Sequence, residues 1–111
     1  MQFEESTISN ALVIRVLDSR IVADVAPQFK EALVGYIKGG EKNIILDLSA
    51  VTFIDSSGLG ALIGSLKAMG KDGELILCGV RDSVVSMLKL TRMDKIFQIF
   101  GTLEEAIAAL R

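Results

Sequence analysis

The sequence predicts an α/β fold: a mixed, mostly parallel sheet with an antiparallel pair at its N-terminal end, flanked by helices, in the order ββαβαβαβα. Three observations lead there. Two strand-like runs at the start are joined by a two-residue turn signal. Beyond them, apolar runs of strand length alternate with stretches whose apolar residues recur at helical spacing, a pattern that implies right-handed crossovers between parallel strands. Half of the 111 residues are hydrophobic while only 5% are aromatic, so a core built from Leu, Ile, Val and Ala is expected. A chain of this length is expected to form one domain over residues 1–111.

Residues 2–8 and 11–17 read as the antiparallel pair, with Ser9-Asn10 as the turn between them. In the second strand Leu12, Ile14 and Val16 alternate with Val13 and Arg15, and Asp18-Ser19-Arg20 breaks the run. From about 23 to 38 the spacing is helical, with Val25, Phe29, Leu33 and Tyr36 or Ile37 on one face. Asp24 is the expected cap, Pro27 falls in the first turn, and Gly39-Gly40 ends the helix. The strand Asn43 to Leu48 follows.

A second helix is expected from about 57 to 70, with Leu59, Leu62, Ile63, Leu66 and Met69 at helical spacing. Gly70-Lys71-Asp72-Gly73 is a stop and a turn. Glu74 to Cys78 is a short strand, and a helix over about 82–91 turns Val84, Met87 and Leu88 inward. Lys95 to Phe100 reads as a last strand. Thr102 with Glu105 forms a capping-box pattern that opens a final helix with Leu103, Ile107 and Leu110 on one face.

Composition excludes several chemistries. There is no His, and Cys78 is the single cysteine, which removes Ser-His-Asp and Cys-His catalysis and the usual zinc sites. One cysteine forms no internal disulfide, which fits a reducing cytosol. Cys78 itself reads as a small buried apolar residue. Met1-Gln2-Phe3-Glu4-Glu5 lacks the basic start and apolar core of a signal peptide, and no apolar run approaches the roughly 20 residues that span a bilayer. A cytoplasmic location without a membrane partner is therefore expected. Net charge is −2, and the cations are scattered along the chain, so no direct nucleic-acid partner is expected either.

The stretch with chemical character is Phe53-Ile54-Asp55-Ser56-Ser57-Gly58-Leu59-Gly60, at the joint between a buried strand and an amphipathic helix. Asp and Ser there supply oxygens to the unpaired N–H groups of a helix start, and the helix dipole favours a negative group. A serine hydroxyl at such a joint is both a cap and a possible phosphate acceptor. Gly58, Gly60 and Gly64 also suggest a dinucleotide turn, but their spacing is one residue longer than the fingerprint and the chain is too short for two mononucleotide halves. They read instead as close helix packing and a tight turn.

Asp55-Ser56-Ser57-Gly58-Leu59-Gly60, preceded by the strand Ile44 to Leu48 and by Val51-Thr52-Phe53-Ile54, resembles the signature of the STAS domain, a family that includes bacterial anti-sigma factor antagonists and the cytoplasmic tails of anion transporters. The order of strands and helices fits the same family over nearly the whole chain. The resemblance implies that Ser56, directly after the aspartate, is phosphorylated by a partner anti-sigma factor serine kinase, with Ser57 as second choice. It implies that Asp55, Ser57, Gly58, Leu59, Gly60 and Asp24 bind the partner, and that Asp47 supports the site.

From the residues alone, Asp55 is equally a cap, and Asp47 faces water at an edge or bonds near the serine turn. Arg20 and Arg81 lie at element ends that could share this face or be solvated. Many anti-sigma factor antagonists carry Asp where this chain has Val22.

The implied protein is not an enzyme and has no cofactor. It is a switch whose unphosphorylated form binds the kinase and releases a sigma factor, and a phosphoserine phosphatase resets it. The alternative is a non-switching STAS scaffold subunit of a sensory or transport complex. A small nucleotide-binding enzyme is disfavoured by the missing His and the lack of paired catalytic carboxylates.

Overall fold

The structure is a computed structural model and describes residues 1–110. Its main sheet has five strands in the order β1-β2-β4-β6-β7. These are β1 (Phe3–Ile8), β2 (Ala11–Val16), β4 (Asn43–Asp47), β6 (Glu74–Cys78) and β7 (Ile99–Phe100). β1 and β2 are antiparallel, with Phe3 opposite Val16 and Ile8 opposite Ala11. The turn between them holds Ser9 at φ 55, the left-handed conformation that two-residue hairpins require. The β2–β4, β4–β6 and β6–β7 pairs are parallel. The expected mixed, mostly parallel sheet is therefore present.

Four helices cover it: α1 (Ala26–Lys38), α2 (Ser56–Met69), α3 (Asp82–Leu90) and α4 (Leu103–Ala109). Strand alternation decides which face each one meets. Leu12, Ile14 and Val16 of β2, Ile44 and Leu46 of β4, and Leu75 and Leu77 of β6 point to one face, into a core shared with Phe29 and Leu33 of α1, Leu59 and Leu62 of α2, and Val84 and Leu88 of α3. Ala11, Val13, Ile45, Ile76 and Cys78 point to the other face, beneath Ala106 of α4 with Leu103 and Ile107 beside it. β4 is central and buried on both faces, which is why Ile44-Ile45-Leu46 is apolar without alternating.

Two expectations are corrected, and one element is additional. α1 starts at Ala26, not near 23, and its N-cap is Val25 with no side-chain cap, so Asp24 does not cap it. Residues 22–26 form a backbone turn in which the Val25 and Ala26 amides both donate to the Val22 carbonyl, which satisfies the helix start without Asp24. Pro27 does sit in the first turn as expected. The last strand is only Ile99–Phe100, because Met93–Lys95 is a 3-10 turn and buried Phe97 plugs the core where the strand was expected to run. Finally, a second, two-stranded parallel sheet joins β3 (Arg20–Ile21) to β5 (Phe53–Ile54), with Arg20 opposite Phe53 and Ile21 opposite Ile54.

The capping box at Thr102 and Glu105 is formed in both directions, as expected. Every helix-to-strand return in the parallel part falls at one pole of the sheet, and the strand-to-helix turns fall at the other.

Candidate functional site

The serine turn lies at the pole where the parallel strands end. Asp55 is the N-cap of α2, with extended backbone and a side chain that accepts from the Gly58 amide. That bond is 2.9 Å from Gly58 N to Asp55 Oδ1. The other carboxylate oxygen, Oδ2, accepts from the Ala23 amide at 3.0 Å. Asp55 thus does the capping that could have fallen to either serine. Ser56 and Ser57 occupy the first two helical positions and both are exposed.

The turn stands on a fixed base. The Asp55 amide donates to the Ile21 carbonyl at 3.2 Å, and the Thr52 amide donates to the Ser19 carbonyl at 2.7 Å. The Ser83 hydroxyl at the start of α3 donates to the Thr52 carbonyl at 2.9 Å. Gly58 is required by close approach: a Cβ there would stand 2.3 Å from the Ile21 carbonyl oxygen and 2.6 Å from Ile54 Cγ2. Leu59 is buried and points into the core, so it holds the turn from beneath. Gly60 is exposed, and a Cβ on it would meet nothing within 4 Å.

Asp24 is exposed on the turn before α1, beside Ala23, and so reaches the same pole through the Asp55 bond. Asp47 ends β4 on the face that packs against α4, and its Oδ1 accepts from the Ser49 amide at 2.9 Å. It shapes the chain leaving β4 and bonds to neither serine. Its charge and Glu104 add to the effect of burial on Cys78, whose thiol is pushed up to about 12. Arg81 Nε donates to the Ser49 carbonyl at 2.7 Å, which fixes the same loop.

Two features were not foreseen. The Arg20 guanidinium lies 5.3 Å from the centre of the Phe53 ring, and Phe53 is 42% exposed, so β3 and β5 present a cation stacked on an aromatic beside the serines. Their registered pairing is what brings them together, and two-residue strands leave no periodic trace in a sequence. Beside Ser57, an open groove of about 320 Å³ runs between α1 and α2, lined by Ala23, Ala26, Pro27, Lys30, Gly60 and Ala61. The Lys30 side chain lies over Gly64, within 2.8 Å of where a Cβ would stand. The small residues that allow this groove were visible in the sequence, but their facing across two helices was not. No group of three or more potential metal ligands occurs among the described residues.

The family model of the STAS domain matches residues 2–106. The chain belongs to the STAS domain family.

Among its relatives, a Listeria monocytogenes protein named anti-sigma-B factor antagonist is 37% identical over 83 residues, covering 71% of this STAS chain and 70% of that protein. The crystal structure of an anti-sigma factor antagonist from Mycobacterium paratuberculosis matches with a TM-score of 0.89 at 25% identity, over 99% of this chain and 93% of that one. SpoIIAA, a Bacillus cell fate determinant solved in its phosphorylated form, shares the fold with a TM-score of 0.74 at 22% identity, over 99% of this chain and all of that one. In this STAS domain the serine turn is the place where exposed hydroxyls, a fixed carboxylate and a helix start coincide. No described helix is long and apolar enough to cross a membrane.

Proposed function

We propose that this STAS domain is an anti-sigma factor antagonist switched by phosphorylation of Ser56. The unphosphorylated form binds an anti-sigma factor with serine-kinase activity and so frees a sigma factor. Phosphate on Ser56, or on Ser57 as the second choice, ends that binding, and a phosphoserine phosphatase restores it. The protein is the substrate in this scheme and not an enzyme, and it works in the cytoplasm without a cofactor. The carrying observation is that two exposed hydroxyls sit on the first turn of α2, beside an Asp55 already committed to two amides.

Magnitudes support a local switch. Phosphate adds about −1.5 to −2 charges. At ~5 Å and an effective dielectric of ~20, each added charge costs about 3 kcal/mol against a like charge such as Asp55, before screening by salt. The start of α2 returns only about 0.3–1 kcal/mol. A partner docked on Asp24, Asp55, Ser57 and Gly60 would also have to dehydrate the phosphate. Each 1.4 kcal/mol is about tenfold in affinity, so release needs no refolding. The buried members of the expected contact set, Gly58 and Leu59, then act by holding the turn, and Asp47 by shaping the loop that leads to it.

The test is phosphorylation by the cognate kinase with ATP, followed by mapping of the phosphate. Ser56→Ala is expected to abolish labelling and leave the protein permanently able to bind, and Ser56→Asp to weaken binding. Full labelling of Ser56→Ala would reject the assignment, as would equal affinity of the phosphorylated and unmodified protein for the kinase.

A further inference from the structure

A second surface stands at the other pole of the sheet. α3 begins beside the serine turn, where Ser83 bonds to Thr52, and runs away from it for nine residues, about 13 Å at 1.5 Å per residue. Its far end carries Leu90, which is 86% exposed, and the 3-10 turn that follows carries Ile96, 51% exposed. Both lie within a run that also exposes Lys89, Arg92 and Lys95. The ion pair formed among the described residues is Arg15 with Glu4, so none of these three cations has an ionic partner there. A cation near a helix C-terminus complements the dipole, which accounts for Lys89 but not for Lys95 or the two aliphatic side chains.

The hook is held in shape. The Thr91 hydroxyl donates to the Met87 carbonyl at 2.9 Å and lies 3.2 Å from that of Leu88. Arg92 adopts φ 61 and reverses the chain. Met93 packs against the core and Phe97 is buried in it. Leu90 and Ile96 are thus presented on a fixed backbone, which lowers the ordering cost of binding.

We infer that this hook, Lys89 to Ile96, is a docking surface for a protein segment bearing carboxylates and aliphatic side chains, separate from the serine turn and indifferent to the state of Ser56. Charge complementarity selects the occupant. Lys89, Arg92 and Lys95, without an ionic partner among the described residues, outweigh the one carboxylate of the hook, Asp94, and with two exposed aliphatics they fit an acidic, apolar segment. An anionic lipid surface gains nothing further at this pole, because a flat layer would also meet the neighbouring turns, where Glu41, Asp72 and Glu74 outnumber Lys42 and Lys71. A narrow segment covers the hook alone. Occupied at one pole and switched at the other, the domain could stay within an assembly while its serine end exchanges partners.

The test titrates the isotope-labelled chain with a synthetic peptide of alternating Glu and Leu at low salt, read by amide chemical shifts, with phosphatidylserine vesicles as a parallel arm. Shifts confined to about residues 87–97 are expected, with an affinity equal within about twofold for wild type and Ser56→Asp. Leu90→Glu should weaken binding at least tenfold, and the double variant Lys89→Glu/Lys95→Glu, which leaves the apolar residues alone, should do the same. Shifts centred on the serine turn or scattered over the surface would overturn the inference. So would retained affinity in both variants, a tenfold change in Ser56→Asp, or binding to vesicles without binding to the peptide.

Discussion

The Asp55 carboxylate accepts from the Ala23 amide at 3.0 Å and ties the turn before α1 to the first turn of α2, across 32 positions of sequence. With its other oxygen on the Gly58 amide, one side chain caps a helix and closes the loop pair that frames both serines. Removing it should therefore cost more than an ordinary cap. Asp55→Ala is expected to destabilise the fold by about 2–3 kcal/mol, the sum of a cap and a second charge-assisted bond. Asp55→Asn retains an acceptor and should lose about half as much. Urea unfolding followed by circular dichroism measures both, and equal stability of Asp55→Ala and wild type would show that the Ala23 tie carries nothing.

Gly58 and Gly60 should respond oppositely. Gly58→Ala forces a Cβ against the Ile21 carbonyl oxygen and Ile54, and backbone cannot yield as a flexible side chain can. A loss of about 1–3 kcal/mol is expected, with the serine turn displaced. Gly60→Ala meets open space and gains helix propensity, so a change between zero and about 1 kcal/mol of stabilisation is expected. Thermal midpoints of the two variants side by side provide the comparison.

The charge at Ser56 should leave the fold itself intact. A negative group on the first turn of α2 gains from the helix start and loses against Asp55, and both effects act on an exposed side chain. Ser56→Asp is expected to change unfolding free energy by less than about 1 kcal/mol while weakening kinase-partner binding tenfold or more. Calorimetric unfolding in parallel with titration of the partner distinguishes local repulsion from unfolding. A collapse of stability in Ser56→Asp would point to refolding as the cause of release.

Cys78 sets an alkaline limit. Its thiol is buried beneath α4 and pushed from 9.0 up to about 12, by burial first and then by Asp47 and Glu104. The folded state therefore holds the proton that the unfolded state releases. The associated stability is fully present below about pH 9 and is lost as pH rises toward 12, with a slope that approaches 1.4 kcal/mol per pH unit at most. Urea midpoints for wild type minus Cys78→Ala between pH 8 and pH 11 isolate this contribution and cancel that of Tyr36, which is also raised to about 12 by burial and its bond to Glu5. A pH-independent difference would contradict the burial of the thiol.

The long elements were legible because burial on one or both faces imposes a repeating pattern. Phe29 and Leu33, Leu59 and Leu62, and Val84 and Leu88 all reach the core as their spacing implied. The capping box at Thr102 was legible because its two bonds join residues three apart. Asp24 was misread because a carboxylate before a proline-containing first turn looks like a cap, while the chain satisfied those amides through the Val22 carbonyl. The strand expected over 95–100 failed because Phe97 is buried as a plug beyond a 3-10 turn, which alternation cannot distinguish from a strand position.

Sequence alone therefore determined the α/β class, the order of the main strands and helices, and the position of the serine turn at the joint between strand and helix. These follow from periodicity and from the local chemistry of turns. The tertiary structure decided that Asp55 is the cap and leaves both serines outward, that Arg20 stacks on Phe53, and that Leu90 and Ile96 stand uncovered at the far pole. Each of these depends on which segments the sheet brings side by side, and such neighbours, tens of residues apart in the chain, leave no mark in the spacing of either segment.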